Sequence, residues 1–385
     1  MKIVIAPDSF KESLTALEAA KAIKKGFSEV FPYAEILTIP MADGGEGTVQ
    51  SLTDTTDGTI VNIEVTGPIG EPVRAFFGLS GNGETAFIEM AAASGLHLVS
   101  KERRNPLLTT SRGTGELILA ALDHGVQHII LGIGGSATND GGAGMVQALG
   151  ARLLDARGQE IGPGGEALKN LEKIDISNLD PRLAKVNVEV ACDVDNPLVG
   201  PNGASHVYGP QKGATVEMIQ KLDQSLAHYA NVIEKELGKK VKEIKGAGAA
   251  GGLGAGLLAF LPVQLKRGID IVIAYTNLET TIKDASLVIT GEGKIDNQTV
   301  YGKTPIGVAK LAKKYNIPVI GIAGAIGSNS SAVYEHGIDA LFSIVPSAMT
   351  LEEAIEGASD YLYKAARNIA KVMELSVQSL QKFDE

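Results

Sequence analysis

Strand–loop–helix units lie at both ends of this 385-residue chain. At the N-terminus, the apolar run from Lys2 to Ala6 is followed by the loop PDSFKESL and by a helix whose start carries a capping-box pattern, Thr15 with Glu18. Towards the other end, LVIT precedes a polar loop and a helix, and IPVIGIAG and ALFSIV are further buried strands. Alternating strands and helices are typical of a parallel sheet covered by helices.

The middle of the chain has a different pattern. From Gly58 to Glu89, period-two apolar runs are broken by turn residues, which is typical of antiparallel strands. We therefore predict an α/β fold of two domains. A parallel, Rossmann-like sheet domain comprises residues 1–60 together with 285–385, and an inserted mixed α/β domain comprises residues 61–284. We also expect Gly26 to close the first helix.

Net charge, cysteine content and the N-terminal residues indicate which partners and which compartment to expect. A formal net charge of −10 argues against nucleic acid, whose binding depends on clustered Lys and Arg. Cys192 is the one cysteine, so no intramolecular disulfide can form, and this suits a reducing compartment. The start, MKIVIAPDS, has too short an apolar run for an export signal or a membrane span. We expect a cytoplasmic protein with no nucleic-acid or membrane partner.

Two polar loops follow predicted strands of the parallel sheet. Asp8, Ser9 and Lys11 lie just beyond the first strand, where open α/β sheets bind ligands. The loop PMADGGEGT places Asp43 and Glu46 among three glycines, and such carboxylates suit a polyhydroxy substrate or Mg²⁺. The alternative for both loops is a plain turn or connector with capping and solvated side chains.

Two glycine-rich runs differ in what they indicate. GIGGSATNDGG, from Gly132 to Gly142, follows a predicted strand and precedes a helix, which favours an anion cradle, although a structural turn is the alternative. GAGAAG, from Gly246 to Gly251, formally matches a dinucleotide motif, but KVKEIK before it is short and charged. A tightly packed helix of small residues is the better interpretation of GAGAAG.

The loop after LVIT ends in a fragment of a P-loop, because Gly302, Lys303 and Thr304 match while Asn297 takes the place of the first glycine. Phosphoryl transfer needs a carboxylate for the attacking hydroxyl, Mg²⁺ ligands and positive charge at the phosphate. This loop offers all three types of group: Glu292, Lys294, Asp296, Gln298, Lys303 and Thr304. We therefore predict a phosphate site that works through side chains and a helix N-terminus, not a Walker loop. In ACDVDNP, Asp193 and Asp195 point to opposite sides if the chain stays extended.

Taken in order, the motifs resemble those of the type 1 glycerate kinases: APDSFKESLTA, PMADGGEGT, LGIGGSATNDGGAGM, ACDVDNPLVG with GPQKGA, GAGAAGGLGAG and TGEGKIDNQTVYGKTPIGVA. The resemblance runs from the first strand to the C-terminal region. It implies Mg²⁺- and ATP-dependent phosphorylation of glycerate, and a two-domain α/β protein with its active site in the cleft between the domains. One departure is Glu12, which stands where many relatives have glycine.

The predicted roles follow from the chemistry of the residues. We expect Asp296 to be the catalytic base, with Asp193 as second choice, and Lys303 or Lys294 to neutralise the transferred phosphoryl group. The predicted substrate ligands are Asp8, Ser9, Lys11, Asp43 and Glu46. The predicted nucleotide-binding residues are Gly134, Gly135, Ser136 and Asn139, and the predicted metal ligands are Asp193 and Asp43.

Two other classes of function remain open at this stage. An NAD-dependent oxidoreductase of small hydroxy acids would use GAGAAG, and a non-catalytic metabolite-binding protein would bind glycerate without ATP turnover. For the kinase, D-glycerate is the substrate to test, and 2-phosphoglycerate is the favoured product. The sequence leaves the enantiomer preference and the oligomeric state open.

Overall fold

The structure is a computed structural model that describes the backbone of residues 1–381 and the side chains of residues 1–375. The strands are β1 (Lys2–Ile5), β2 (Glu35–Thr38), β3 (Thr59–Thr66), β4 (Pro72–Leu79), β5 (Thr85–Glu89), β6 (His128–Gly132), β7 (Arg152–Leu154), β8 (Lys173–Asp175), β9 (Asn187–Ala191), β10 (Val263–Lys266), β11 (Leu287–Ile295), β12 (Val319–Ile326) and β13 (Ala340–Ser343). The helices are α1 (Ala16–Val30), α2 (Thr48–Thr55), α3 (Ala91–Ser94), α4 (Arg112–Asp123), α5 (Ala143–Ala148), α6 (Ala204–Tyr208), α7 (Val216–Leu237), α8 (Ala249–Phe260), α9 (Gly268–Tyr275), α10 (Leu278–Ile282), α11 (Thr304–Lys313), α12 (Ala332–Glu335), α13 (Leu351–Glu356) and α14 (Ala358–Gln381).

The chain divides into two compact units. The first comprises residues 1–43, 50–56 and 269–385, and the second comprises residues 44–49 and 57–268. Residues 269–284, which the sequence prediction had included in the insertion, belong to the first unit. There Ile269, at the start of α9, packs so closely on Gly307 of α11 that an added Cβ would lie 2.2 Å from its Cγ1. No linker marks this boundary in the sequence, and only packing distant along the chain defines it.

The first unit contains a five-stranded sheet in the order β13-β12-β11-β1-β2, and every pairing in it is parallel. The predicted parallel α/β architecture is therefore confirmed. Counted within this unit, the order is 2-1-3-4-5, the flavodoxin-like form of a doubly wound sheet. Successive connections leave β1 and β11 in opposite directions, and in such sheets ligands bind outside the carboxyl ends of the two strands where this reversal occurs.

Helix α1 begins as the sequence predicts and ends later. Thr15 and Glu18 form both hydrogen bonds of the capping box. Gly26, expected to close the helix, lies inside it, and the helix continues to Val30. A Cβ at Gly26 would lie 2.7 Å from backbone atoms of Arg367 and Tyr363, so glycine is required here for close packing of α1 on α14.

The second unit contains a six-stranded mixed sheet in the order β10-β9-β6-β5-β4-β3. The pairs β3–β4 and β4–β5 are antiparallel, as the period-two pattern from Gly58 to Glu89 predicts, and the other three pairs are parallel. Strands β7 and β8 form a separate antiparallel pair. A continuous apolar core surrounds this sheet, with Leu131 of β6 and Val190 of β9 fully buried.

No helix in the described part of the chain is both long enough and apolar enough to cross a membrane.

Candidate active site

In the first unit, polar side chains meet at the carboxyl ends of β1 and β11. We define the Asp8 cluster as Asp8, Asp43, Glu292, Lys303 and Thr304. Asp8 follows β1 and is 8% exposed; its Oδ2 accepts from the Thr304 hydroxyl and its Oδ1 accepts from the N–H of Ser9 at 2.6 Å. The carboxylate of Glu292, on β11, accepts from Lys303 Nζ at 3.0 Å. The cluster thus lies at the point where the topology predicts a ligand site.

The carboxylates of the cluster perturb one another. Burial, and after it the negative charge of Asp43, raise the pKa of Asp8 to about 7, although hydrogen bonds from Thr304 and Ser9 oppose the shift. Burial also raises the pKa of Glu292, and Lys303 partly offsets this. Burial disfavours the charge on Lys303, but Glu292 and Asp43 outweigh it, so the pKa of Lys303 is raised. A cation beside Asp8 and Asp43, or a proton bound to the Asp8 carboxylate, is therefore favoured.

Asp296 lies in a different electrostatic environment. Its Oδ1 accepts from the N–H of Gln298 at 2.9 Å, and its Oδ2 pairs with Lys294 at 3.1 Å. The hydrogen bond from Gln298 is the main reason why the pKa of Asp296 lies below its usual range; burial opposes it, and the hydrogen bond and charge of Lys294 add to the lowering. Lys294 itself is largely exposed, with 64% of its side-chain surface accessible. These features make Asp296 a weaker proton acceptor than Asp8 at neutral pH.

The stretch NQTVYGKTP is not a phosphate-wrapping loop. The N–H of Thr299 donates to the carbonyl of Asp296, and the N–H of Tyr301 donates to that of Gln298. These N–H groups are used inside a short 3₁₀ turn, whereas a P-loop directs its N–H groups at phosphate. Helix α11 then begins at Thr304, with Lys303 as its N-cap. The stretch therefore presents Lys303 and a helix N-terminus, as the sequence predicts.

A pocket of about 360 Å³ opens beside this edge of the sheet in the first unit. Its polar lining residues are Lys11, Glu12, Ser13 and Thr350, and apolar side chains that include Phe10 and Met349 supply much of the rest. Lys11 is exposed, and Ser9 is half-buried. The neighbouring Glu12 has φ = 65°, a left-handed conformation, which explains why glycine suits this position.

In the second unit, the loop after β6, predicted to be an anion cradle, presents free backbone N–H groups. Gly134 and Gly135 are exposed, and Ser136 is 6% exposed. Within the described part of the chain, the three consecutive N–H groups of Gly134, Gly135 and Ser136 donate to no acceptor. Free N–H groups in succession are the feature by which backbone loops bind phosphate and carboxylate groups.

Buried side chains fix this cradle from behind. The carboxylate of Asp140 accepts from the N–H groups of Ser111, Gly142 and Gly144, at 2.8 to 3.2 Å, and from the Ser111 hydroxyl. Asn139 is fully buried and donates from Nδ2 to Ser205 Oγ at 3.0 Å. Asp140 therefore holds the turn into α5. Asn139 lies beneath the loop, not on its surface.

The run GAGAAG supports the same loop. No strand precedes it, so the context of a dinucleotide motif is missing. Helix α8 includes Ala249–Phe260, but Ala250, Gly251 and Gly252 have left-handed backbone conformations. Gly251 lies against the loop so closely that a Cβ there would meet the carbonyl oxygen of Thr138 at 1.9 Å. The glycines of this run therefore serve close packing.

Sequence reasoning missed two buried charged groups of the second unit, Glu89 and Lys212. Glu89, at the end of β5, accepts from the N–H of Val49 at 2.9 Å and thereby caps α2. Burial, with a smaller contribution from the charge of Glu46, raises its pKa to about 7, although the hydrogen bond from Val49 opposes the shift. Glu46 itself is exposed. The one signal for Glu89 was a carboxylate ending an apolar run.

The two aspartates of ACDVDNP have different surroundings. Asp193 is exposed, and its Oδ1 accepts from the N–H of Gly268 at 3.1 Å. Asp195 forms an exposed ion pair with Lys245. The role of Asp193 as a second-choice base and metal ligand stays a prediction.

Among the residues whose side chains the structure describes, no group of three or more His, Cys, Asp or Glu is arranged to hold a metal ion. Mg²⁺, however, commonly takes only one or two carboxylates and completes its shell with water and substrate phosphate oxygens. Asp8 and Asp43 fit that type of site, because each is a hard oxygen donor and their mutual repulsion would be relieved by a cation.

Comparison with known proteins gives one consistent result. Residues 3–374 match the model of the glycerate kinase family. The chain is 65% identical to the glycerate kinase of Bacillus subtilis strain 168 over 98% of each chain. It is 60% identical to the glycerate 2-kinase of Escherichia coli K12 over 98% of this chain and all of the relative. A crystal structure from Salmonella typhimurium LT2, described as that of a glycerate kinase 2, superposes with a TM-score of 0.92 at 58% identity, covering 98% of this chain and 99% of the other.

Proposed function

This chain belongs to the glycerate kinase family, and from that premise we propose that it transfers the γ-phosphoryl group of ATP to the 2-hydroxyl of D-glycerate, giving 2-phosphoglycerate and ADP. The choice of the 2-position is supported by the name of the E. coli relative, a glycerate 2-kinase. Because the chain belongs to a kinase family, we no longer interpret it as an oxidoreductase or as a non-catalytic binding protein. We further propose that the enzyme acts in the cytoplasm.

The Asp8 cluster is the observation that carries this proposal. A kinase needs a carboxylate to take or orient the proton of the attacking hydroxyl, and positive charge where the phosphoryl group is transferred. Asp8 has a pKa near neutrality, which is the condition for a general base at physiological pH. Lys303 is held by Glu292 within the same cluster and supplies the positive charge.

We therefore add Asp8 to the candidates for the base, beside Asp296 and Asp193. In the proposed step, the carboxylate of the base accepts the proton of the glycerate hydroxyl as the hydroxyl oxygen bonds to the γ-phosphorus and the bond to ADP breaks. Lys303 would stabilise the charge on the transferred group, with Lys294 as the second candidate. Asp8 can serve only one role at a time, so a base at Asp8 leaves Asp43 as the better metal ligand.

The remaining site residues are assigned by charge and position. We propose that Lys11 and Ser9 bind the glycerate carboxylate, while Asp43 and Glu46 contact its hydroxyl groups or the metal. Mg²⁺, when bound, would neutralise phosphate charge and orient the γ-phosphoryl group. The free N–H groups of the cradle support the assignment of the nucleotide phosphates to Gly134, Gly135 and Ser136, with Asn139 acting from beneath.

The overall proposal is tested by incubating the protein with D-glycerate, ATP and Mg²⁺ and identifying the product by phosphorus NMR. We expect 2-phosphoglycerate, and no turnover in excess chelator until Mg²⁺ is restored. Formation of 3-phosphoglycerate would refute the assignment of the acceptor hydroxyl, and full turnover in chelator would refute the metal requirement.

The nucleotide assignment is tested separately with Gly135→Val. A side chain at Gly135 would enter the space that a phosphate needs, where the protein itself offers only Ala91 Cβ, at 3.5 Å from the added Cβ. Gly135 has φ = 75°, so valine also strains the backbone and should lower the unfolding free energy by about 1 to 2 kcal/mol. We expect the KM for ATP to rise roughly tenfold or more in a protein that stays folded. An unchanged KM for ATP would return this loop to a structural role.

A further inference from the structure

Lys212, in the motif GPQKGA, is a buried lysine with neutral partners. It is 2% exposed, and its ammonium donates to Ser136 Oγ at 2.6 Å and to the carbonyl of Thr138 at 2.7 Å. Among the side chains that the structure describes, no carboxylate lies within 4.0 Å of this ammonium. Burying an ammonium without a paired charge costs free energy, so stability alone gives no reason for lysine here.

The hydroxyl of Ser136 connects Lys212 to the cradle. Ser136 Oγ accepts from the ammonium. Among the residues that the structure describes, the Ser136 hydroxyl itself donates to no acceptor. The same residue contributes the third of the free N–H groups. A hydroxyl that accepts from a cation is polarised, and its proton becomes a better donor to an anion.

We propose that Lys212 is a positioning residue for ATP: its ammonium orients the Ser136 hydroxyl as a donor to the phosphate chain and places positive charge beneath the Gly134–Ser136 loop. This inference rests on the proposed function, which assigns that loop to the nucleotide phosphates. Lys212 acts through Ser136 and through the Thr138 carbonyl.

The charges around Lys212 give the role a pH signature. Burial lowers the pKa of Lys212 to about 7, and the negative charge of Asp140 opposes that shift. Asp140 is fully buried, and Tyr229 and Arg104 approach the same region, Tyr229 beside Asp140 and Arg104 against Gly213. Because a lysine is charged below its pKa, the KM for ATP should be lowest below pH 7 and should rise as Lys212 loses its proton.

The experiment compares Lys212→Met, Lys212→Arg and the wild type. At pH 7, Lys212→Met should raise the KM for ATP roughly tenfold or more, since it removes a charge-assisted hydrogen bond, and should leave the KM for glycerate nearly unchanged. Lys212→Arg keeps its charge, so its KM for ATP should vary less between pH 6 and 8.5 than that of the wild type. Lys169→Met, an exposed lysine of the same unit paired with Glu166, is the control and should change neither constant.

A double-mutant cycle separates positioning from general structural damage. If Lys212 acts through Ser136, the two residues are coupled. The double variant Ser136→Ala/Lys212→Met should then raise the KM for ATP by a factor smaller than the product of the factors measured for the two single variants. A wild-type KM for ATP in a folded Lys212→Met protein would overturn the inference, as would a rise in the KM for glycerate alone. Should Lys212→Met fail to fold, the pH profiles of the wild type and Lys212→Arg decide, and identical profiles would overturn it.

Failure of this inference differs from failure of the proposed function. If Gly135→Val raises the KM for ATP while Lys212→Met does not, only the role of Lys212 is wrong. If Gly135→Val also leaves the KM for ATP unchanged, the assignment of the loop to the nucleotide is wrong.

Discussion

Replacing Asp8 by asparagine should stabilise the protein more as the pH rises. The pKa of Asp8 is about 7 in the folded protein against 3.8 as the ordinary value. The folded state therefore holds this proton more tightly than the unfolded state does. That contribution to stability is fully present below pH 3.8 and is lost as the pH rises through about 7. Asparagine stays neutral throughout and so escapes the loss.

The size of the effect follows from the two pKa values. Between pH 5 and pH 8, the stabilisation that the wild type gains from this proton falls by about 2 to 3 kcal/mol of unfolding free energy. An asparagine side chain has one oxygen acceptor instead of two, so either the hydrogen bond from the Ser9 N–H is lost or the one from the Thr304 hydroxyl is weakened. This loss costs about 1 to 3 kcal/mol of unfolding free energy at any pH. This constant cost cancels when the difference between mutant and wild type is compared across pH.

Urea unfolding of both proteins at pH 5, 6, 7 and 8 measures this difference. Asp8→Asn should gain about 2 to 3 kcal/mol on the wild type over that range, while its kcat should fall roughly a hundredfold or more if Asp8 is the base. Asp296→Asn is the matched control: the pKa of Asp296 is lowered, so the stability that its charge contributes is lost only as the pH falls into the acidic range. A flat pH dependence for Asp8→Asn would refute the assignment of a raised pKa to Asp8.

Three further substitutions test other parts of the first unit. Lys303→Met should lower kcat with the KM for ATP less affected, because its charge is matched to the transferred phosphoryl group; steady-state kinetics in which only KM rises would contradict this. Glu12→Gly should raise the unfolding free energy by about 0.5 to 1 kcal/mol, measured by urea denaturation, because glycine relieves a left-handed φ of 65°. Asn297→Gly should leave nucleotide affinity unchanged by calorimetry, and a clear gain would revive the P-loop interpretation.

The sequence predicted the elements whose signals are local. The apolar run of β1 and the capping box of α1 depend on neighbouring residues, and both appear where predicted. The polar side chains of the 292–304 loop are visible in the sequence because they are neighbours along the chain, and their catalytic roles stay predictions. The difference in pKa between Asp8 and Asp296 was not visible, since burial and partners distant along the chain set the pKa of Asp8.

The groups that the sequence did not reveal act across long separations. Glu89 caps a helix that begins 41 residues earlier, and Lys212 reaches a loop 76 residues away. Each looked like an ordinary charged residue because burial is set by the fold. Gly26 was misplaced as a helix end for the same reason, since its requirement comes from α14.

Gly251 links this long-range packing to function and gives the last prediction. Gly251→Ala would place a Cβ 1.9 Å from the carbonyl oxygen of Thr138, at a left-handed φ of 69°. The backbone must shift, and we expect a loss of about 2 to 4 kcal/mol in unfolding free energy. The control is Gly238→Ala, at φ = 67° with nothing within 4 Å, which should cost only about 1 kcal/mol.

The two variants should also differ in activity. Because the Thr138 carbonyl accepts from Lys212, a shift of Thr138 at Gly251→Ala should displace the ammonium from Ser136. The KM for ATP should then rise in Gly251→Ala and stay at the wild-type value in Gly238→Ala. Equal KM values in the two variants, with the expected difference in stability, would mean that the glycine run serves packing alone and that the cradle does not depend on the position of Thr138.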